Sequence, residues 1–239
     1  MQHPRRTHRQ GHADGWLRRM PTLTSMRDSD VRFALRGRLA LEHQHELDDT
    51  LFVEELGLCG AARVDVAVVN GALSGYELKS ARDTLDRLPA QVATYSKVLD
   101  YAVLVVAENH LKHARRELRP WWGIQIAREV DGVVLLTDAR VPRQNPRVDA
   151  ASLVQLLWKD EAVRLLAARG QDKGVRSLPR EAAWERLAAT VDLDELRAEV
   201  RTVLKVRRGW RDDRGRARCD ETVRRADTSS RFLARRMSR

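Results

Sequence analysis

Two hydrophobic periods alternate along the chain. Val31, Ala34, Leu35 and Leu39 recur at helical spacing behind Asp28 and Ser29, either of which can cap a helix. The pattern fades in the polar stretch 42–49. The segment 50–58 then reads as a strand, Cys59 to Ala62 as a loop, and the β-branched run 63–70 as a second strand closed by the turn signal Asn70-Gly71. Residues 73–80 form the return strand of that hairpin. Leu85, Leu88, Val92, Tyr95 and Leu99 follow at intervals of 3, 4, 3 and 4, which predicts a helix. The unbroken apolar run Tyr101 to Ala107 predicts a parallel strand buried on both faces. A helix over 109–119 and a hairpin of 121–127 with 133–137 around Asp131-Gly132 complete the first half. The order α-β-β-β-α-β with later strands predicts an α/β protein, a mixed sheet packed by helices.

Beyond the proline-containing stretch Pro142 to Pro146, read as a linker, the period is helical throughout. Leu153, Leu156, Leu157, Val163 and Leu166 form one apolar set. Trp184, Leu187, Ala188 and Val191 form a second, and Leu196, Val200, Val203 and Leu204 a third, with 170–179 as a connecting loop. Trp158 and Trp184 are expected in the core. The organisation predicted is a basic extension over 1–25, an α/β domain over 26–141, a helical module over 147–210 and a disordered Arg-rich tail over 211–239. Met26 is a plausible natural start.

Charge changes this picture by its placement. The 239 residues carry a formal charge of +10, with +4 in residues 1–25, +9 in 201–239 and −3 between them. Basic ends attract polyanions through counterion release, and nucleic acid is the commonest such partner; the alternative is a pair of solvated, solubilising tails. No run approaches 18 apolar residues, and the polar N-terminus lacks the apolar core of a secretory signal. Cys59 and Cys219 alone cannot form a disulfide framework or a cysteine zinc site, so the reducing cytoplasm is the expected compartment. The chain has no Gly-rich phosphate loop, no Ser-His-Asp arrangement and no convincing histidine metal site.

The chemistry is concentrated in the first hairpin. Glu77 and Lys79 share one face of their strand, and Asp65 sits between Val64 and Val66, where an acid is costly to bury without a partner. A register that sets Asp65 beside Glu77 brings two carboxylates and one ammonium together. With the Leu78 carbonyl as a further oxygen, such a set suits Mg²⁺, or Mn²⁺ in its place. A metal so held activates water and neutralises charge on a phosphodiester, while Lys79 orients the water and stabilises developing negative charge. The alternative is an ion-pair ladder on an exposed sheet face.

An acid in one strand followed by Glu-x-Lys in the next resembles the PD-(D/E)XK nuclease superfamily. Here the residues are Arg63-Val-Asp65 and Glu77-Leu-Lys79, and the resemblance covers about residues 26–107. The stretch from Gly75 through Arg87-Leu-Pro-Ala-Gln91 is similar to an uncharacterised bacterial branch often found near phage or mobile-element genes. The resemblance implies a restriction-endonuclease-like core, a further metal-binding Glu upstream (Glu54 or Glu55, with Glu55 favoured) and a supporting Gln91 on the following helix. It also implies Mg²⁺-dependent deoxyribonuclease activity. Val64 stands where many members have proline.

In the helical module, Leu165 to Gly170, Gly174 to Ser177 and Trp184 to Leu187 resemble a SAP-type DNA-binding unit; the alternative is a helical cap on the α/β body. Arg197, Arg201, Lys205, Arg207 and Arg208 make the end of the last helix basic and are expected to contact phosphates, or to complement the helix dipole. The expected partner is nucleic acid, DNA first, with no membrane association; monomer and homodimer stay open. A non-catalytic nucleic-acid-binding protein or an adaptor on the same fold is the competing expectation.

Overall fold

A computed structural model describes residues 26–171 and 173–207. The expected tail over 211–239, the extension over 1–25 and Arg208 lie outside the described residues. Six strands form one mixed sheet in sequence order: β1 (Leu51–Leu58), β2 (Ala62–Val69), β3 (Leu73–Lys79), β4 (Tyr101–Ala107), β5 (Gly123–Val130) and β6 (Val133–Arg140). β4 runs parallel to both its neighbours, and the other pairs are antiparallel. Parallel pairing requires a crossover. These crossovers carry helix α2 (Leu88–Tyr95) between β3 and β4 and α3 (Leu111–Glu117) between β4 and β5. The β5–β6 turn places both Asp131 (φ 51°) and Gly132 (φ 77°) in the left-handed region, as a two-residue hairpin demands.

Both faces of the sheet are covered, which explains the uninterrupted apolar run of β4. Ala102, Leu104 and Val106 enter the larger core, and Val103, Val105 and Ala107 enter the smaller one. Helix α1 (Asp28–Glu42) closes the smaller core through Val31, Leu35 and Leu39. Its N-cap is Arg27, whose backbone N–H donates to the Asp30 carboxylate, rather than Asp28 or Ser29 as expected.

The remaining helices α4 (Ala150–Leu153), α5 (Lys159–Ala167), α6 (Arg180–Thr190) and α7 (Leu193–Val206) extend the larger core; Leu157, Leu166, Leu187, Leu196 and Val200 belong to the same cluster as Leu104. The stretch expected to link two units is itself packed. Asn145 is 1% exposed and its amide donates to the carbonyls of Ser96 and Leu99. The helical segment is thus a continuation of the α/β core, the cap alternative. Trp158, expected inside, is 51% exposed, with the Arg207 guanidinium 4.5 Å above its ring. Trp184 is partly buried and donates Nε1–H to the Leu157 carbonyl. No helix among the described residues is long and apolar enough to cross a membrane.

The sheet departs from regularity at one rung. Glu54 pairs with Val66 and Leu56 with Val64, leaving Glu55 opposite Asp65 without ladder pairing. On β1 the core face passes from Leu51 and Val53 to Leu56 and Leu58; on β2 it passes from Val64 to Ala67 and Val69. Both strands therefore slip phase at the same rung, and Val64 and Val66 enter opposite cores. Glu55 sits at φ 54°, a left-handed conformation costing roughly 1–2 kcal/mol in a residue with a Cβ. On the other side, the β2–β3 ladder ends at Val66 and Tyr76, although both strands continue. The strands part there, and the gap is where the charged residues gather.

Candidate active site

Beyond Tyr76, β3 pairs only with β4, and its freed side faces β2 across a cleft of about 270 Å³. Glu55, Arg63, Asp65, Glu77, Lys79, Arg87 and Gln91 are among the residues that line it. Asp65 replaces the missing ladder bond with its side chain, Oδ2 accepting the Leu78 N–H at 2.8 Å. Glu77 and Lys79, 1% and 5% exposed, lie on the same face of β3, as strand alternation requires. Lys79 Nζ donates to Glu77 Oε1 at 2.6 Å, and Gln91 Nε2 donates to the same oxygen at 2.6 Å.

Helix α2 supplies a residue that the sequence pattern places only in the core. The Tyr95 hydroxyl lies 2.6 Å from Glu77 Oε2 and 2.5 Å from the Arg63 carbonyl oxygen, so one phenolic proton serves two acceptors. Gln91 and Tyr95 are four residues apart, hence on one helix face, and together they grip both oxygens of Glu77. That i, i+4 spacing behind Glu-x-Lys was the available signal. Burial, reinforced by the Glu77 charge, holds the Tyr95 phenol far above its ordinary range, so it is a neutral donor.

Asp65 is the strained member of the pair. Burial raises its carboxyl from 3.8 to about 6, and the negative charge of Glu77 adds to the rise. The Leu78 N–H, Arg32 and Lys79 oppose it. Arg32, from the first turns of α1, is a second site residue without a sequence signal. Its Nη1 donates to the Asp65 carbonyl at 3.0 Å, and its Nη2 lies 3.5 Å from Asp65 Oδ1 and 3.6 Å from Glu55 Oε1.

Glu55, expected as a metal ligand, faces two arginines: Arg32 on Oε1 and Arg63, whose Nε is 3.2 Å from Oε2. Glu54 is paired with Arg36. Among the described residues no group of three or more His, Cys, Asp or Glu forms a ready metal cage. A smaller donor set fits Mg²⁺, which needs only one or two carboxylates and keeps its waters. Burial and then the charge of Glu77 raise the Asp65 carboxyl, and Gln91 Oε1 is buried without a hydrogen-bond partner. A cation bound beside the two carboxylates would relieve the first of these features.

The basic residues expected to hold phosphate are engaged elsewhere. Arg197 Nε lies 3.1 Å and Arg201 Nη1 3.5 Å from the buried carboxylate of Asp100, which also accepts the Leu73 N–H at 2.8 Å. Lys205 Nζ donates to Asp49 at 2.6 Å, and Arg207 forms a buried pair with Glu161. These pairs tie α7 to Asp100 just before β4 and to Asp49 just before β1, and tie the following Arg207 to α5.

No curated protein matches the chain. Among solved structures, a protein of unknown function from Silicibacter pomeroyi matches at 21% identity and a TM-score of 0.36, over 59% of this chain and 91% of that one. Residues 24–225 match the model of the family described as Bacteriophage P4 protein cII, and the chain belongs to that family.

Proposed function

We propose that this protein is a Mg²⁺-dependent deoxyribonuclease on a PD-(D/E)XK-type core, acting in the cytoplasm in phage or mobile-element biology. The observation that carries this reading is the parting of β2 from β3. It gathers Asp65, Glu77 and Lys79 around one cleft with Gln91 and Tyr95 behind them. Asp65, Glu77 and the Leu78 carbonyl would hold the ion, which when bound supplies Lewis-acid stabilisation of a pentacovalent phosphate and acidifies water. Lys79 places a cation beside the reacting phosphate, where negative charge develops. Gln91 fixes Glu77 with its amide N–H. Tyr95 keeps the other Glu77 oxygen in place. The exposed Arg63 and Arg87 in the cleft lining suit the flanking phosphates of a nucleic acid.

The test is cleavage of supercoiled plasmid in Mg²⁺. Asp65→Ala and Lys79→Ala are each expected to lower the rate at least a hundredfold; cleavage that survives both refutes the site. One observation favours a second reading, a DNA-binding protein without turnover: both Glu77 oxygens already have donors within the protein. Calorimetric titration with Mn²⁺ separates the two. Absent metal binding with DNA affinity retained selects the second.

A further inference from the structure

We infer that Arg32 occupies the place of a second divalent cation, so that the centre takes one ion only. This rests on the proposed metal reading. Two-ion nuclease sites set two cations about 3.5–4 Å apart between shared carboxylates. In this fold the carboxylates that could bridge to a second ion are Glu55 and Asp65, opposite each other on the unpaired rung of β1 and β2. A guanidinium already stands between them. Arg32 Nη2 is 3.5 Å from Asp65 Oδ1 and 3.6 Å from Glu55 Oε1. It is held there from two further directions, by Asp28 Oδ2 on Nε at 3.3 Å and by the Asp65 carbonyl on Nη1 at 3.0 Å. Its side chain is only 18% exposed.

Glu55 confirms the arrangement from the opposite side. Its left-handed backbone, costly for a glutamate, sets the phase slip of β1 and leaves its carboxylate between Arg32 and Arg63. An ion binding Glu55 would lie against a permanently charged guanidinium, because arginine does not deprotonate in proteins. The charge balance agrees. Asp28, Glu55, Asp65 and Glu77 stand against Arg32, Arg63 and Lys79, a deficit that one divalent ion overturns and that offers no reason for a second.

The experiment titrates the full chain with MnCl₂ by calorimetry and follows the bound ion by electron paramagnetic resonance. The native protein is expected to bind one Mn²⁺ with the spectrum of an isolated ion. Arg32→Met is expected to bind two, with the broadened signal of a coupled pair, and Arg32→Lys to bind one. Glu55→Gln is expected to leave the affinity for the single ion within twofold, whereas loss of a ligand or its direct support costs about 10–100-fold. Two ions in the native protein, one in a folded Arg32→Met variant, or a tenfold loss in Glu55→Gln overturns the inference and leaves the metal reading standing. No Mn²⁺ bound by the native protein overturns the metal reading and this inference together. Circular dichroism establishes that Arg32→Met is folded; should it not be, the native stoichiometry and Glu55→Gln decide.

Discussion

Replacing Asp65 with Asn removes one charge from a crowded site while keeping an oxygen to accept the Leu78 N–H. In the metal-free protein this substitution is expected to stabilise the fold at neutral and alkaline pH. The carboxyl titrates near 3.8 in the unfolded chain and at about 6 in the fold, lifted by burial and then by Glu77. At 1.36 kcal/mol per pH unit, the ionised form costs the fold about 3 kcal/mol. Water reaching the exposed 21% of the side chain lowers that cost, so the expected gain is about 1–3 kcal/mol. The sign follows from proton binding. Between pH 3.8 and 6 the folded chain holds the Asp65 proton and the unfolded chain has released it, so stability falls as pH rises through this window and levels off above it. Thermal melts of the two proteins in chelator from pH 4 to 8 test this. At about 2–4 °C per kcal/mol for a chain of this size, the variant should melt several degrees higher at pH 8, with the advantage gone at pH 4. Added Mg²⁺ should raise the native protein and leave the variant unmoved. A variant that is less stable at pH 8, or a difference that does not change with pH, refutes the account of the paired carboxylates.

Tyr95→Phe keeps the ring stacked on Trp122 at 5.6 Å but removes the only proton shared by Glu77 and the Arg63 carbonyl. A loss of about 1–2 kcal/mol in urea denaturation is expected, and an unchanged midpoint contradicts the hydrogen bonding. Glu161→Ala removes the carboxylate that neutralises the buried Arg207 guanidinium, which keeps the Leu156 carbonyl and the Trp158 ring, and should cost about 3 kcal/mol, read by the same denaturation. Arg201→Ala should lower stability yet leave the salt dependence of DNA affinity unchanged, because this side chain faces Asp100; a slope reduced by about one phosphate contact would reassign it to the nucleic-acid surface.

Much of the scaffold was legible in the chain because strand and helix periods are local properties of the backbone. The run 101–107 announced a strand covered on both sides, Asp131-Gly132 announced a two-residue turn, and the alternation of Glu77 with Lys79 put both on one face. The family of chemistry to consider followed from those residue types. What the chain could not disclose depends on partners distant in sequence. On β2 the phase slip at Asp65 leaves no mark in the apolar pattern, since Val64 and Val66 are equally apolar while entering opposite cores. Arg32 and Tyr95 are one residue among many on their helices until packing sets Arg32 against Asp65 and Tyr95 against Glu77. Arg201, Lys205 and Arg207 read as a basic surface by composition, yet the docking of α7 sets each against an acid from another element. Periodicity, being local, determined the elements; charge pairing acts through space, so only the tertiary arrangement decided which charged groups form the site and which hold the fold together.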